Sequence, residues 1–142
     1  MIETKTKQNP KLLTQILNWD LGEITNFVIV ENPDIPAEKI IEAAEEYKYF
    51  VYLKILTGES LTIPTKLVDF IWHAHILHTK QYFQFCETIA GQYIHHTPEL
   101  YDEKNYKDSV KNISDLSKQI FGNIVFDISK QTYTPKVYFT SI

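Results

Sequence analysis

The residues best suited to chemistry in this chain are five histidines, all of which lie between residues 73 and 96. Histidine is the commonest metal ligand in proteins and the usual carrier of protons near neutral pH. A carboxylate, Asp69, precedes His73 by four residues. This cluster predicts either a metal site or a hydrogen-bonded polar network.

Asp69 and His73 fall on the same side of a predicted helix. On a wheel of 100° per residue, residues four apart are separated by about 40°, so the carboxylate and the imidazole are neighbours one turn apart. His75 lies in the middle of the apolar face of this helix, which favours a buried, hydrogen-bonded side chain over a ligand. His78 follows at the helix end, where we expect it to face solvent and its charge would suit the helix dipole.

We expect a metal site here to consist of Asp69, His73 and one histidine of the pair His95 and His96. Neighbouring residues in an extended segment point to opposite sides, so only one of the pair is expected to meet Asp69. Three protein ligands would leave one coordination position for water or substrate, and zinc is the expected ion. The same residues would also satisfy one another as an Asp–His network without a metal.

Two further residues are secondary candidates for metal ligands. His75 could bind an ion together with His78, three residues away, but not together with His73, which points to the other side of the helix. Cys86 lies at the centre of an apolar helix face, which is typical of a buried structural thiol, although a soft sulfur ligand beside His73 is the alternative.

Prolines and glycines divide the chain into segments of helical pattern. Pro10, Pro36 and Pro64 precede such segments, and glycines, including Gly22 and Gly91, follow them, as expected of first turns and left-handed caps. Apolar residues at three- and four-residue spacing predict helices near 11–20, 36–57, 64–77, 79–90 and 105–121.

The fold class follows from these segments, with one ambiguity. Residues 22–31 fit a helix or a strand, and Thr79 is the predicted N-cap of the helix that starts there. The chain after Gly122 alternates apolar and polar residues, so it is predicted to be extended. We therefore predict a mainly α single domain over residues 1–142, a compact bundle of about five helices with an extended C-terminal tail.

Composition excludes several classes of protein. The chain has 142 residues, of which 44% are hydrophobic and 23% charged, values that are ordinary for a globular domain. No apolar run approaches the ~18 residues of a membrane span, and the single cysteine excludes an internal disulfide, so we expect a cytoplasmic protein without a membrane partner. The net charge is −4. A helix-turn-helix across 64–91 would have only Lys66 and Lys80 to contact phosphates, so a nucleic-acid partner is not expected.

A longer motif resembles a known family. It consists of the run Val68-Asp69-Phe70-Ile71-Trp72-His73-Ala74-His75-Ile76-Leu77, then Thr79, Tyr82, Phe85-Cys86, Gly91 and His95-His96-Thr97-Pro98. With the upstream Glu46-Tyr47-Lys48-Tyr49-Phe50-Val51-Tyr52-Leu53 and Pro64, the motif covers about residues 36–98 and resembles the glycine-rich domain-containing protein-like family. The resemblance implies a helical domain of bacterial type that lacks the glycine-rich tail, and it implies no particular reaction.

Two functions remain open from the sequence. The first is a helical domain that binds zinc through the Asp/His cluster and has a hydrolase-like open site for a small-molecule substrate. The second is a non-catalytic interaction or accessory module, in which the cluster is a structural polar network and the partner is another protein. The catalytic residues and the reaction are not predicted.

Overall fold

The computed structural model describes residues 8–58, 61, 63–96, 103–123 and 126, and within residues 103–110 the backbone alone. These ranges contain six helices and no strand. The helices are α1 (Pro10–Leu17), α2 (Gly22–Glu31), α3 (Ala37–Thr57), α4 (Lys66–Leu77), α5 (Thr79–Ala90) and α6 (Glu103–Phe121). The predicted mainly α fold is confirmed. The predicted extended tail lies almost entirely outside the described residues, and the single-domain organisation stays a prediction.

The ambiguous segment forms α2, which raises the number of helices among the described residues from about five to six. Its buried side chains, Ile24 and Val28, are one helical turn apart, while Val30 is exposed. The prediction that Gly22 caps the preceding helix is wrong. Gly22 begins α2, and its amide donates a hydrogen bond to the Asp20 carboxylate, so the turn needs no left-handed residue there.

The long helix α3 lies at the centre of the fold, where it packs against α1, α2 and α4. Pro36 precedes its first turn and Gly58 ends it in the left-handed conformation. Glu46, on the same helix, is buried despite its charge. Lys48 is buried as well, because its long side chain reaches the carbonyl of Leu17 and the carboxylate of Glu45.

Helices α4 and α5 follow each other directly and carry most of the motif. The Thr65 hydroxyl caps α4 by accepting a hydrogen bond from the Val68 amide. His78 separates the two helices, so His78, and not the predicted Thr79, is the N-cap residue of α5. Gly91 ends α5 with a φ of 71°, the left-handed cap that the sequence predicts.

Both motif helices contribute large side chains to the core. Trp72 is 3% exposed, and Phe85 and Cys86 are fully buried, as the apolar face around Cys86 predicts for the thiol. In the described part of the chain, no helix has both the length and the apolar composition needed to cross a membrane.

Candidate metal centre

Three side chains from two separate segments converge at one point on α4. Oδ1 of Asp69 lies 3.2 Å from Nε2 of His73, one turn further along the helix, and 2.7 Å from Nε2 of His96, which comes from the segment after α5. One potential ligand atom from each residue lies within 4.8 Å of the other two. We call Asp69, His73 and His96 the Asp–His cluster.

The Asp–His cluster is partly open to solvent. The side chain of Asp69 is 22% exposed, that of His73 17% and that of His96 only 7%. Burial disfavours the ionised carboxylate of Asp69, but hydrogen bonds from His73 and His96, together with their positive charge, outweigh this and lower the pKa of Asp69 to about 2. Asp69 is therefore an anion at neutral pH and can bind either a cation or two N–H donors.

His96 reaches Asp69 because α5 side chains hold the backbone just before it. The Tyr82 hydroxyl donates a hydrogen bond to the carbonyl of Ile94, and the Ile94 amide donates to Sγ of Cys86 over 3.4 Å. Both peptide groups of Ile94 are thus bound two residues before His96. The His96 ring then lies against Trp72, with ring centroids 4.4 Å apart.

Trp72 connects this arrangement to α4. Its indole Nε1 donates a hydrogen bond to the Tyr82 hydroxyl over 2.9 Å. Phe50 of α3 packs on the same indole, with ring centroids 5.5 Å apart. Because Trp72 directly precedes His73 in α4, the hydrogen bonds of Tyr82 connect both histidine-bearing segments.

His75 is a core residue, as its place on the apolar face predicts. It is fully buried, and its Nδ1 lies 2.8 Å from the Tyr47 hydroxyl. Its ring packs against those of Tyr82 and Phe85, and its Nε2 has no hydrogen-bond partner among the described residues. Burial, helped by the nearby charge of His78, lowers the pKa of His75 to about 3, so the imidazole is neutral at physiological pH.

The other candidate ligands lie away from the Asp–His cluster. His95 is exposed and packs on the Tyr93 ring. The thiol of Cys86 is buried and accepts the Ile94 amide, and burial raises its pKa. His78 is only partly exposed, because its Nδ1 donates to the carbonyl of Ala74 and its ring packs on Phe27. Thr97 and Pro98, which also belong to the motif, lie outside the described residues.

The sequence did not reveal the polar roles of Tyr82 and Trp72, which belong to the motif without an assigned function. A signal was present, since Tyr82 and Cys86 are one helical turn apart on the same face of α5. Their partner is the backbone of Ile94, however, and a backbone group has no residue type by which to recognise it. Only the turn at Gly91 brings that backbone to α5.

A cleft among the described residues lies apart from the Asp–His cluster. This cleft of about 440 Å³ runs between the α1–α2 corner and α3 and is lined by Trp19, Thr25, Ile41 and Lys48, among others. No residue of the Asp–His cluster lines it.

Comparison with known proteins corrects the family. No curated protein and no solved structure matches the chain. A family model described as UCP032817-like matches residues 21–119, a range that includes α2 to α5 and the whole Asp–His cluster. The resemblance to the glycine-rich domain-containing protein-like family is therefore wrong, because it rested on a motif of core and cluster residues that does not identify that family. The chain belongs to the UCP032817-like family.

Proposed function

We propose that this protein binds a divalent metal ion, zinc in the first instance, through Asp69, His73 and His96. The observation that carries the proposal is the convergence of one carboxylate oxygen and two imidazole Nε2 atoms within 4.8 Å. Nitrogen and oxygen ligands of this kind are those of catalytic zinc sites. Three of them leave a fourth position of a tetrahedral ion for water.

Two of the three distances between the potential ligand atoms are close to those that zinc requires. Ligands at about 2.0–2.2 Å from a tetrahedral zinc ion lie about 3.3–3.6 Å from one another. The distances from Oδ1 of Asp69 to Nε2 of His73 and to Nε2 of His96 are 3.2 and 2.7 Å. Both are shorter than the ligand separations around zinc, by less than about 1 Å. Small side-chain rotations of Asp69 and His96 would open the required space, and each Nε2 would lose its proton to become a ligand.

The open position would give the site a hydrolase-like chemistry. Zinc lowers the pKa of a bound water to about 7, which generates a nucleophile at neutral pH, and it polarises carbonyl or phosphoryl oxygens. A small molecule with such an oxygen is the class of substrate that fits. We propose that this chemistry takes place in the cytoplasm, where the single thiol of Cys86 would stay reduced.

A second candidate function is favoured by the hydrogen bonds themselves. Oδ1 of Asp69 already lies at hydrogen-bond distance from both histidines, so the cluster also serves as a structural network that holds the segment after α5 onto α4. The protein would then be a non-catalytic interaction module. Exposed aromatic rings such as Phe83, which is 57% exposed, would contribute to a protein-binding surface.

Metal titration separates the two candidates. Protein purified without a polyhistidine tag should bind one Zn²⁺ per chain in a calorimetric titration. His73→Ala should abolish this binding because it removes one of three ligands. His95→Ala, the matched control from the same histidine-rich region, should bind as the wild type does. Failure of the wild type to bind zinc would contradict the metal proposal and leave the structural network.

A further inference from the structure

We propose that Tyr82 and Cys86 are positioning residues of the metal centre and that they set its affinity by fixing the backbone that carries His96. This inference rests on the proposed function, since it concerns the same ligands. Neither residue belongs to the Asp–His cluster. Both act through Ile94, which precedes His96 by two residues.

Tyr82 and Cys86 hold two different backbone groups of Ile94. Tyr82 binds the carbonyl of Ile94 and Cys86 binds its amide, so the peptide groups on both sides of one α-carbon are held by a single helix. Tyr82 also accepts the indole N–H of Trp72, over 2.9 Å. Tyr82 thus connects the segment that carries His96 to the helix that carries His73, and this fixes the position of His96 relative to His73.

The position of His96 needs to be fixed because the three ligands come from segments that differ in conformational freedom. Asp69 and His73 are one turn apart on α4, and the helix alone sets their spacing. His96 follows a glycine cap and has no helix to hold it. Loss of an outer-shell partner typically weakens metal binding about 10–100-fold, since the ligand must then be ordered by the ion itself.

The decisive variant is Tyr82→Phe, which keeps the ring and removes the hydroxyl. Its matched control is Tyr52→Phe, because Tyr52 is equally buried and its hydroxyl also accepts a hydrogen bond, from the Asn9 amide at the start of α1. Both variants lose one buried hydroxyl, but only Tyr82 contacts the segment of His96. The Kd for Co²⁺ and the visible absorption spectrum of the bound Co²⁺ are measured for wild type and variants.

We expect Tyr82→Phe to raise the Kd for Co²⁺ about 10–100-fold and to change the absorption spectrum, with Tyr52→Phe like the wild type. A Kd and spectrum of Tyr82→Phe equal to those of the wild type would overturn the inference while leaving the metal site in place. If the wild type binds no Co²⁺, the proposed function itself fails. The experiment thus distinguishes the two failures.

A second pair of variants tests Cys86 and applies even if Tyr82→Phe does not fold. Cys86→Ala removes the acceptor of the Ile94 amide and should raise the Kd for Co²⁺ about tenfold or more. Cys86→Ser restores an acceptor at the same place and should recover part of the lost affinity. Equal affinities of Cys86→Ala and the wild type would overturn the role of Cys86.

Discussion

At the scale of single residues, Asp69 and His75 show how one helix produces opposite electrostatic environments. Asp69 is partly exposed and lies against two imidazoles, so its charged form is stabilised and its pKa falls to about 2. His75 is fully buried against rings and the Tyr47 hydroxyl, so its charged form is excluded and its pKa falls to about 3. Asp69 can therefore bind a cation, whereas protonation of His75 would lower the stability of the fold.

These pKa values predict how stability depends on pH. His75 titrates near 6.5 in the unfolded chain, so the unfolded state binds more protons than the folded state between pH 6.5 and 3. The stability that neutral His75 provides is complete above pH 6.5 and is lost as pH falls toward 3. Asp69 adds a second loss between about pH 4 and 2, because its pKa is also lowered on folding.

The test is the free energy of unfolding, measured in urea between pH 7 and 4. We expect the wild type to lose up to about 1.4 kcal/mol per pH unit through His75 below pH 6.5. His75→Asn, which retains a polar group near Tyr47 but cannot titrate, should show a flatter dependence. Identical slopes for the two proteins would show that His75 is not buried in the neutral form.

At the scale of elements, the α4–α5 pair is the unit that the sequence predicted best. The apolar positions of both helices have clear three- and four-residue spacing, and their ends are marked by Thr65 and Gly91. The α2 segment was ambiguous because a short run of β-branched and aromatic residues fits a strand as well as a helix. The helix is favoured because it buries Ile24 and Val28 against neighbouring helices, which is a tertiary effect.

Truncation of Trp72 tests the α4–α5 pair. Trp72 is 3% exposed, contacts Phe50 and His96, and donates to Tyr82. We expect Trp72→Ala to lower the free energy of unfolding by about 3–5 kcal/mol, as large core truncations do. The measurement is urea denaturation followed by circular dichroism.

The matched control for Trp72 is Phe83→Ala on the same helix pair. Because Phe83 is 57% exposed, its truncation should change the free energy of unfolding by no more than about 0.5 kcal/mol. An equal decrease in the free energy of unfolding of both variants would mean that Trp72 stabilises the α4–α5 pair no more than an exposed ring does.

At the scale of the whole molecule, the fold brings a segment after α5 back to α4 and so joins residues 27 positions apart in the chain. The sequence identified Asp69, His73 and the 95/96 pair because histidines are rare and clustered. It could not choose between His95 and His96, since that choice depends on which side of the segment faces α4. The hydrogen bonds of Ile94 make the choice, by placing His96 on Trp72 and leaving His95 exposed.

X-ray absorption at the zinc edge of the loaded protein is the sharpest test of whether Asp69, His73 and His96 bind zinc with one position open. We expect one zinc ion per chain, surrounded by four nitrogen or oxygen atoms at about 2.0–2.2 Å, two of them from imidazole rings. His96→Ala should bind no zinc, because it removes one of the three ligands, as His73→Ala does. A sulfur ligand at about 2.3 Å, or zinc bound with an unchanged shell in His96→Ala, would show that these three residues are not the ligands.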